Sequence, residues 1–269
     1  MNNLRISIIG AGNIGSAIAK GILDAELIKN GALYITRRKI ESIEKFKERG
    51  AIVISDNLEA IKNTDFIIIA VTPQQLNDLL ITIKNYLENK TIISVVSGAF
   101  IADYKKFVPA SCKVIRAMPN TAIAIKQSMT CLCAEDKNDE ALKIAIKIFN
   151  SLGKTIVINE SQMNAATALC ACGIAFFLRA IRAASQGGIE IGFHSEEALF
   201  MSAQTALGAA ALLLDSESHP EREVDKVTTP KGCTISGLNQ LEHNGFSSAL
   251  IKGIVTSAQK AEVLYSRNS

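Results

Sequence analysis

From Met1 to about Ile158, short apolar runs rich in β-branched residues alternate with stretches whose apolar positions recur every three or four residues. The runs are Arg5 to Ile9, Ala32 to Thr36, Ala51 to Ser55, Phe66 to Val71, Thr91 to Val96, Lys113 to Met118, Met129 to Cys133 and Thr155 to Ile158. Strands separated by helices in this way predict a doubly wound, mostly parallel sheet. Phe66 to Val71 has no polar position, the signature of a strand covered on both faces. After about Glu160 the strand pattern stops and helical runs take over, with no proline between Pro119 and Pro220. Ser161 to Leu178 carries no charge but includes Ser161, Gln162, Asn164, Thr167 and Gly173, so a buried helix is expected rather than the roughly twenty predominantly apolar residues of a membrane span. A second helix, Ser195 to Leu214, ends in Thr205 to Leu214, apolar on every side, and a closing helix runs from about Gly245 to Tyr265. A helix apolar all round must be enclosed, and a short helical region cannot easily enclose these elements alone. Another subunit is the expected cover.

The first run breaks into glycines, Ile8-Ile9-Gly10-Ala11-Gly12-Asn13-Ile14-Gly15, and Ser16 to Leu23 continues at helical spacing. Gly-x-Gly-x-x-Gly between a strand and a helix predicts a dinucleotide site of the Rossmann type. Gly10 allows the tight turn, Gly12 the approach of a pyrophosphate, and Gly15 the packing of helix on strand, while the phosphate sits on the helix N-terminus. Ligands of such sheets lie beyond the carboxyl ends of the strands. The second strand ends at Thr36-Arg37-Arg38-Lys39, where an NAD site usually carries an acidic residue. Two guanidinium forks beside a hydroxyl suit a 2′-phosphate, so NADP(H) is favoured, with NAD(H) as a second cofactor. Later strands end at Ala70-Val71-Thr72-Pro73, at Ser97-Gly98 and at Asn120, delivering small polar groups to one edge. The expected cofactor contacts are Ile9, Gly10, Ala11, Gly12, Asn13, Ile14, Gly15, Thr36, Arg37, Arg38, Asn57, Ala70, Val71, Thr72, Pro73, Ser97, Gly98 and Asn120.

Composition narrows the picture little further. With 269 residues, 48% hydrophobic and 20% charged, the chain is globular. A net charge of +3, spread without a dense run, points to no nucleic-acid partner. The six cysteines, without a secretory signal, read as reduced thiols of a cytoplasmic protein. Cys131/Cys133 and Cys170/Cys172 lack Cys-x-x-Cys spacing and neighbouring histidines, so no metal site is expected. His194, His219 and His243 read as surface residues.

Four further stretches carry a resemblance: Arg116 to Thr121, Ala203 to Ala210, Asp225 to Leu238, and Leu241 to Phe246. In that order and over essentially the whole chain, the sequence resembles pyrroline-5-carboxylate reductase. The resemblance implies an NADP(H)-binding Rossmann-like domain over 1–159 and an all-α substrate-binding and dimerisation domain over 160–269, assembled as a dimer or decamer. It implies reduction of 1-pyrroline-5-carboxylate to L-proline. Thr234 matches a threonine assigned to the ring nitrogen, Glu217 an acidic residue near that nitrogen, and Thr229 a hydroxyl at the carboxylate. Backbone N–H groups of Gly232, Cys233 and Thr234, at a helix start, would take the carboxylate. Cys170 to Phe176 replaces the family's Ser-Gly-Ser-Gly-Pro-Ala-Tyr, and Lys231 stands where glycine is usual, at a position whose positive φ would cost a lysine on the order of 1 kcal/mol. Thr72 stands where lysine is common and Ala122 where proline is. Two other readings are kept: a reductase of another cyclic imine, suggested by the altered Cys170 to Phe176 segment, and a catalytically idle NADP(H)-binding relative, opposed by the joint presence of Glu217, Thr229 and Thr234. A β-hydroxyacid dehydrogenase is excluded because it needs a lysine on the first long helix of the second domain, and none lies between Lys154 and Lys226.

Overall fold

The computed structural model describes residues 4–216 and 218–263. It resolves into two compact units, residues 1–172 with 256–269, and residues 173–255.

The first unit begins β1 (Ile6–Ile9), α1 (Asn13–Asp24), β2 (Leu33–Thr36), β3 (Ile52–Ile54), α2 (Asn57–Lys62), β4 (Phe66–Ile69), α3 (Pro73–Ile83) and β5 (Thr91–Ser94). It continues with α4 (Ile101–Lys105), β6 (Lys113–Met118), β7 (Ser128–Ala134), α5 (Glu140–Asn150), β8 (Gly153–Val157) and α6 (Met163–Ala166). The eight strands form one sheet in the order β3-β2-β1-β4-β5-β6-β7-β8. Neighbours are parallel except at β6 and β7, which pair antiparallel with Met118 opposite Cys131 and Ile115 opposite Ala134.

Successive side chains of a strand point to opposite faces, and each face has its own core. On one, Ile6, Ile8, Ile35, Ile68 and Ile115 pack with Ile18 and Ile22 of α1 and Leu142 and Ile148 of α5. On the other, Ile67, Ile69, Ile92 and Val114 pack with Leu76 and Leu80 of α3 and Met163 and Ala166 of α6. All four residues of β4 are buried, as its unbroken apolar run requires.

The chain crosses the second core between two anchors. Arg116 in β6 is 2% exposed; its Nη1 donates to Glu160 Oε1 at 3.0 Å, and its guanidinium lies 5.1 Å from the centre of the Phe100 ring. The Ile101 N–H donates to the same carboxylate oxygen at 2.7 Å. Ten residues further on, Asn120 Nδ2 donates to Cys170 O at 3.1 Å. Between them the run expected as one buried helix is a turn of 3₁₀ helix, then α6, then a π-helical turn at Thr167–Cys172.

The second unit holds α7 (Gly173–Glu190), α8 (Ser195–Ser216), α9 (Pro220–Val227), α10 (Cys233–His243) and most of α11 (Phe246–Glu262), whose last turns group with the first unit. Its apolar side chains are largely uncovered: Phe177, Leu178, Phe200, Leu207 and Leu214 are all more than half exposed. The expectation of a buried helix is therefore met only up to Ala168, and from α7 onward burial requires a surface that one chain does not supply. Glu160–Glu190 and Ser195–Ser216 are each long and apolar enough to cross a membrane by length and composition.

Candidate active site

In a sheet of order 3-2-1-4-5-6 the chain reverses its direction of growth between β1 and β4, and a crevice opens there beyond the carboxyl ends. The structure has a groove of about 620 Å³ at that point, lined by Ile9 to Gly12, Thr36 to Lys39, Ser55, Asn57, Ala70 to Thr72, Gln75, Asp78, Leu79 and Thr82.

The turn at its head is dictated by backbone. Gly10 has φ +93°, and a Cβ on it would lie 2.9 Å from Val71 Cγ1 and 3.0 Å from Ala70 O. A Cβ on Gly15 would meet Gly10 O at 2.5 Å, so helix and turn touch through a glycine. Gly12 differs, because a Cβ there would meet nothing within 4 Å and would project into open groove. Gly12 is also the N-cap of α1, which has no side-chain cap and no acidic residue in its first turn. By contrast α2 and α5 are capped by Asp56 and Asp139, and α9 by His219. The free N–H groups of α1 face the groove end that a bulky side chain would fill, and that cradle fits a dinucleotide pyrophosphate.

Thr36 is 1% exposed, and its hydroxyl is turned inward. It donates to Asn57 Oδ1 at 2.6 Å and accepts from Gly10 N at 3.4 Å. The hydroxyl expected beside the arginines as a phosphate ligand is thus spent on holding the glycine turn and α2 together. Arg37, Arg38 and Lys39 are exposed, and none forms an ion pair among the described residues. Three cations face one lining carboxylate, Asp78, so that end of the groove suits an anion.

Of the expected cofactor residues, Ile9, Gly10, Ala11, Gly12, Thr36, Arg37, Arg38, Asn57, Ala70, Val71 and Thr72 line the groove. Asn13, Ile14 and Gly15 form the first turn of α1, and Pro73 opens α3 behind Thr72, whose hydroxyl donates to Gln75 Oε1 at 3.2 Å. Ser97 and Gly98, the latter at φ +83°, follow β5 at the same sheet edge without lining the groove. Asn120 lies apart, with Nδ2 bonded to Cys170 O and Oδ1 accepting from Ala122 N at 3.0 Å. Six lining residues were not among the expected contacts: Lys39, Ser55, Gln75, Asp78, Leu79 and Thr82. Ser55 was visible as another strand end, and Thr72, Gln75, Leu79 and Thr82 share one helical face by their spacing.

In the second unit, Thr229 to Gly232 form a β-turn closed by Gly232 N to Thr229 O at 2.9 Å. Pro230 fixes the second position, and Lys231 takes the left-handed third one at φ +59°, so the turn keeps its shape with lysine in place of glycine. A Cβ on Gly232 would meet Thr229 Oγ1 at 2.5 Å. The Gly232 N–H, expected as a carboxylate donor, is used by the turn and drops out of that set. Cys233 and Thr234 open α10, which has no side-chain cap, and their N–H groups have no acceptor among the described residues. Thr234 is half-buried and Cys233 exposed. Glu217 lies outside the described residues. No group of three or more His, Cys, Asp or Glu suited to a metal occurs among the described residues.

Comparison with known proteins adds the following. Residues 160–264 match the family model for pyrroline-5-carboxylate reductase dimerisation, and residues 5–98 that for NADP oxidoreductase, coenzyme F420-dependent. The chain is 52% identical to pyrroline-5-carboxylate reductase 1 of Dictyostelium discoideum over 97% of its length, but spans only half of that protein. It is 47% identical to pyrroline-5-carboxylate reductase 2 of the same organism, covering 97% of this chain and 93% of the other. Among solved structures, a Plasmodium falciparum pyrroline carboxylate reductase with NADP bound superimposes with a TM-score of 0.90 at 28% identity, over 98% of this chain and 99% of that one.

Proposed function

The chain belongs to the pyrroline-5-carboxylate reductase family, and from that premise we propose that it reduces 1-pyrroline-5-carboxylate to L-proline with NADPH, the last step of proline biosynthesis. The observation that carries the reading is the end-to-end match to a reductase in a chain where the starts of α1 and α10, neither with a side-chain cap, lie where anionic groups are expected.

NADPH supplies the hydride, and the protein's part is positioning and electrostatics. Gly12 leaves room for the pyrophosphate at the start of α1, and Asn13, Ile14 and Gly15 form the turn that receives it. Arg37 and Arg38 hold the 2′-phosphate, and Lys39 adds charge beside them. Thr36 acts through Gly10 and Asn57, keeping the turn in shape. Ala70 to Thr72 form the edge along which the remainder of the cofactor extends, with Pro73 opening α3 behind Thr72. Ser97 and Gly98 would meet the cofactor only beyond the groove, and Asn120, held by Cys170 O and Ala122 N, acts by fixing the turn at the end of β6. The N–H groups of Cys233 and Thr234, with the Thr229 hydroxyl, hold the substrate carboxylate. The Thr234 hydroxyl supports the ring nitrogen, and Glu217 acts near it.

The domain division at residue 160 is supported by the start of the dimerisation match. That match also assigns self-association to 160–264 and accounts for the uncovered faces of α7 and α8 better than a membrane would. Within self-association we favour a dimer as the unit and a decamer as its larger form, with no nucleic-acid partner. Six free cysteines support a reducing, cytoplasmic setting.

The test is NADPH oxidation followed with pyrroline-5-carboxylate, with proline counted against NADPH consumed. One proline per NADPH is expected. A folded, NADPH-binding protein inert toward this imine would overturn the substrate assignment, and turnover of a different cyclic imine would favour the reading that the Cys170 to Phe176 segment suggests.

A further inference from the structure

The fold brings together two thiols that are 39 positions apart in the sequence. Cys131 Sγ in β7 lies 3.8 Å from Cys170 Sγ in the π-helical turn. Cys131 is 3% exposed and packed in the second core, whereas Cys170 is half-buried at that core's margin. The Cys170 backbone is held by Asn120 Nδ2, and Cys131 lies opposite Met118, so both sulfurs sit at the end of β6. We propose that Cys131 and Cys170 form an oxidisable dithiol, with Cys170 the nucleophile toward a hydroperoxide and Cys131 the thiol that resolves it to an intrachain disulfide.

Two features separate this pair from the other buried cysteines, Cys112 and Cys133. The Cys131 thiol donates toward Cys170, which holds the Cys170 thiol below the usual thiol range, while Cys131 is pushed up by that contact and by burial. Cys131 is the titratable group that faces Cys170, and the Asn120 carboxamide is the polar group reaching it from the end of β6. Cys112 and Cys133 are pushed up to about 11 by burial, which leaves them protonated and slow. The π-helical turn also breaks regular helical bonding at the residue that must move, and closure from 3.8 Å to a bond of about 2.05 Å needs only a small approach.

The chemistry balances. The Cys170 thiolate attacks the distal peroxide oxygen, an S–O bond forms, the O–O bond breaks, and the leaving alkoxide or hydroxide takes a proton from water. The sulfur is then a sulfenic acid, oxidised by two electrons, and the peroxide is reduced to alcohol or water. The Cys131 thiol loses its proton and attacks that sulfur; the S–S bond forms and the hydroxyl leaves with the proton as water. One peroxide is consumed per disulfide.

The full chain, in its native assembly and reduced, is treated with a small excess of hydrogen peroxide, alkylated, digested and mapped by mass. The expected product is a Cys131–Cys170 peptide pair two hydrogens lighter, lost on dithiothreitol treatment. Its rate should fall from pH 8 to pH 6 as the Cys170 thiolate is protonated. Cys131→Ser should leave a Cys170 sulfenic acid trapped by a 1,3-dione, and Cys170→Ser should abolish the pair. Sulfinic acid at Cys170 with Cys131 still alkylatable, a cross-link between chains, or no reaction at Cys170 would each overturn the proposal. The unsubstituted chain decides this without reliance on either variant.

Discussion

Two glycines three residues apart should fail in different ways. In Gly12→Ala the new methyl meets no protein atom within 4 Å, and the backbone, at φ −74° and ψ −153°, suits alanine. Loss of chain entropy in the unfolded state stabilises such a change by about 0.4–1 kcal/mol, while a poorer N-cap costs about as much. The melting temperature without cofactor should therefore stay within a few degrees of the parent. The methyl instead occupies the place of the pyrophosphate and separates it from the free N–H groups of α1. Losing one hydrogen bond to a charged group costs about 1.5–3 kcal/mol, which is about tenfold to a hundredfold in NADPH affinity. In Gly15→Ala the methyl lies 2.5 Å from Gly10 O and must recede by about 0.8 Å to reach an ordinary C···O contact of about 3.3 Å. Overpacking of that kind costs about 1–3 kcal/mol, offset by up to about 1 kcal/mol of helix propensity, so this variant should lose stability, by about 2–4 °C for each net kcal/mol. NADPH titration by nicotinamide fluorescence and thermal melting of both proteins separate the outcomes. A Gly12→Ala protein that binds NADPH like its parent would refute the placement of the phosphate at α1.

Replacing both Arg37 and Arg38 with alanine should shift preference from NADPH toward NADH, and equal catalytic efficiency of the parent with the two cofactors would contradict their role. Thr234→Ala should lower kcat about tenfold to a hundredfold, the value of one buried hydrogen bond of roughly 1–3 kcal/mol, with NADPH affinity unchanged and Thr234→Ser recovering much of the loss. A purely structural role in the first turn of α10, whose N-cap is Gly232, would instead lower the melting temperature and spare kcat in the folded fraction. Sedimentation at micromolar concentration should show a dimer or larger species, and an active monomer would refute the account of the exposed faces of α7 and α8. Glu160→Ala leaves the Arg116 guanidinium buried without its partner and should cost about 3 kcal/mol, read as a melting temperature lower by roughly 6–12 °C; Glu160→Gln should lose less.

Most strands were legible because they are short runs rich in β-branched residues, and the glycine turn because its geometry is a backbone requirement that sequence states directly. The reversal at β7 went unread, although the connection between Met118 and Ser128 is too short for the crossover of a dozen or more residues that a parallel partner needs. Thr36 looked like a ligand because it ends a strand, but its rotamer turns the hydroxyl toward Gly10 and Asn57, which only the third dimension reveals. The uncharged stretch from Ser161 announced burial without saying by what. Its break into a π-helical turn, and the meeting of Cys131 with Cys170, depend on packing between segments far apart in the chain.

The reversal at β7 acts as a parity rule. β6 delivers the chain to the carboxyl edge of the sheet, β7 carries it back, and β8, parallel to β7, again ends at the far edge. The segment from Glu160 therefore starts beside Arg116 and has the length of β6 in which to return, arriving at Asn120 with Cys170. Had β7 and β8 kept the direction of β6, the exit from the sheet would already stand at the carboxyl edge, and the same segment laid along β6 would carry residue 172 to the opposite side. The direction of the last two strands thus decides at which edge the chain is handed on, so loops in this unit can lengthen freely while the number of traverses between β6 and Gly173 can change only by two.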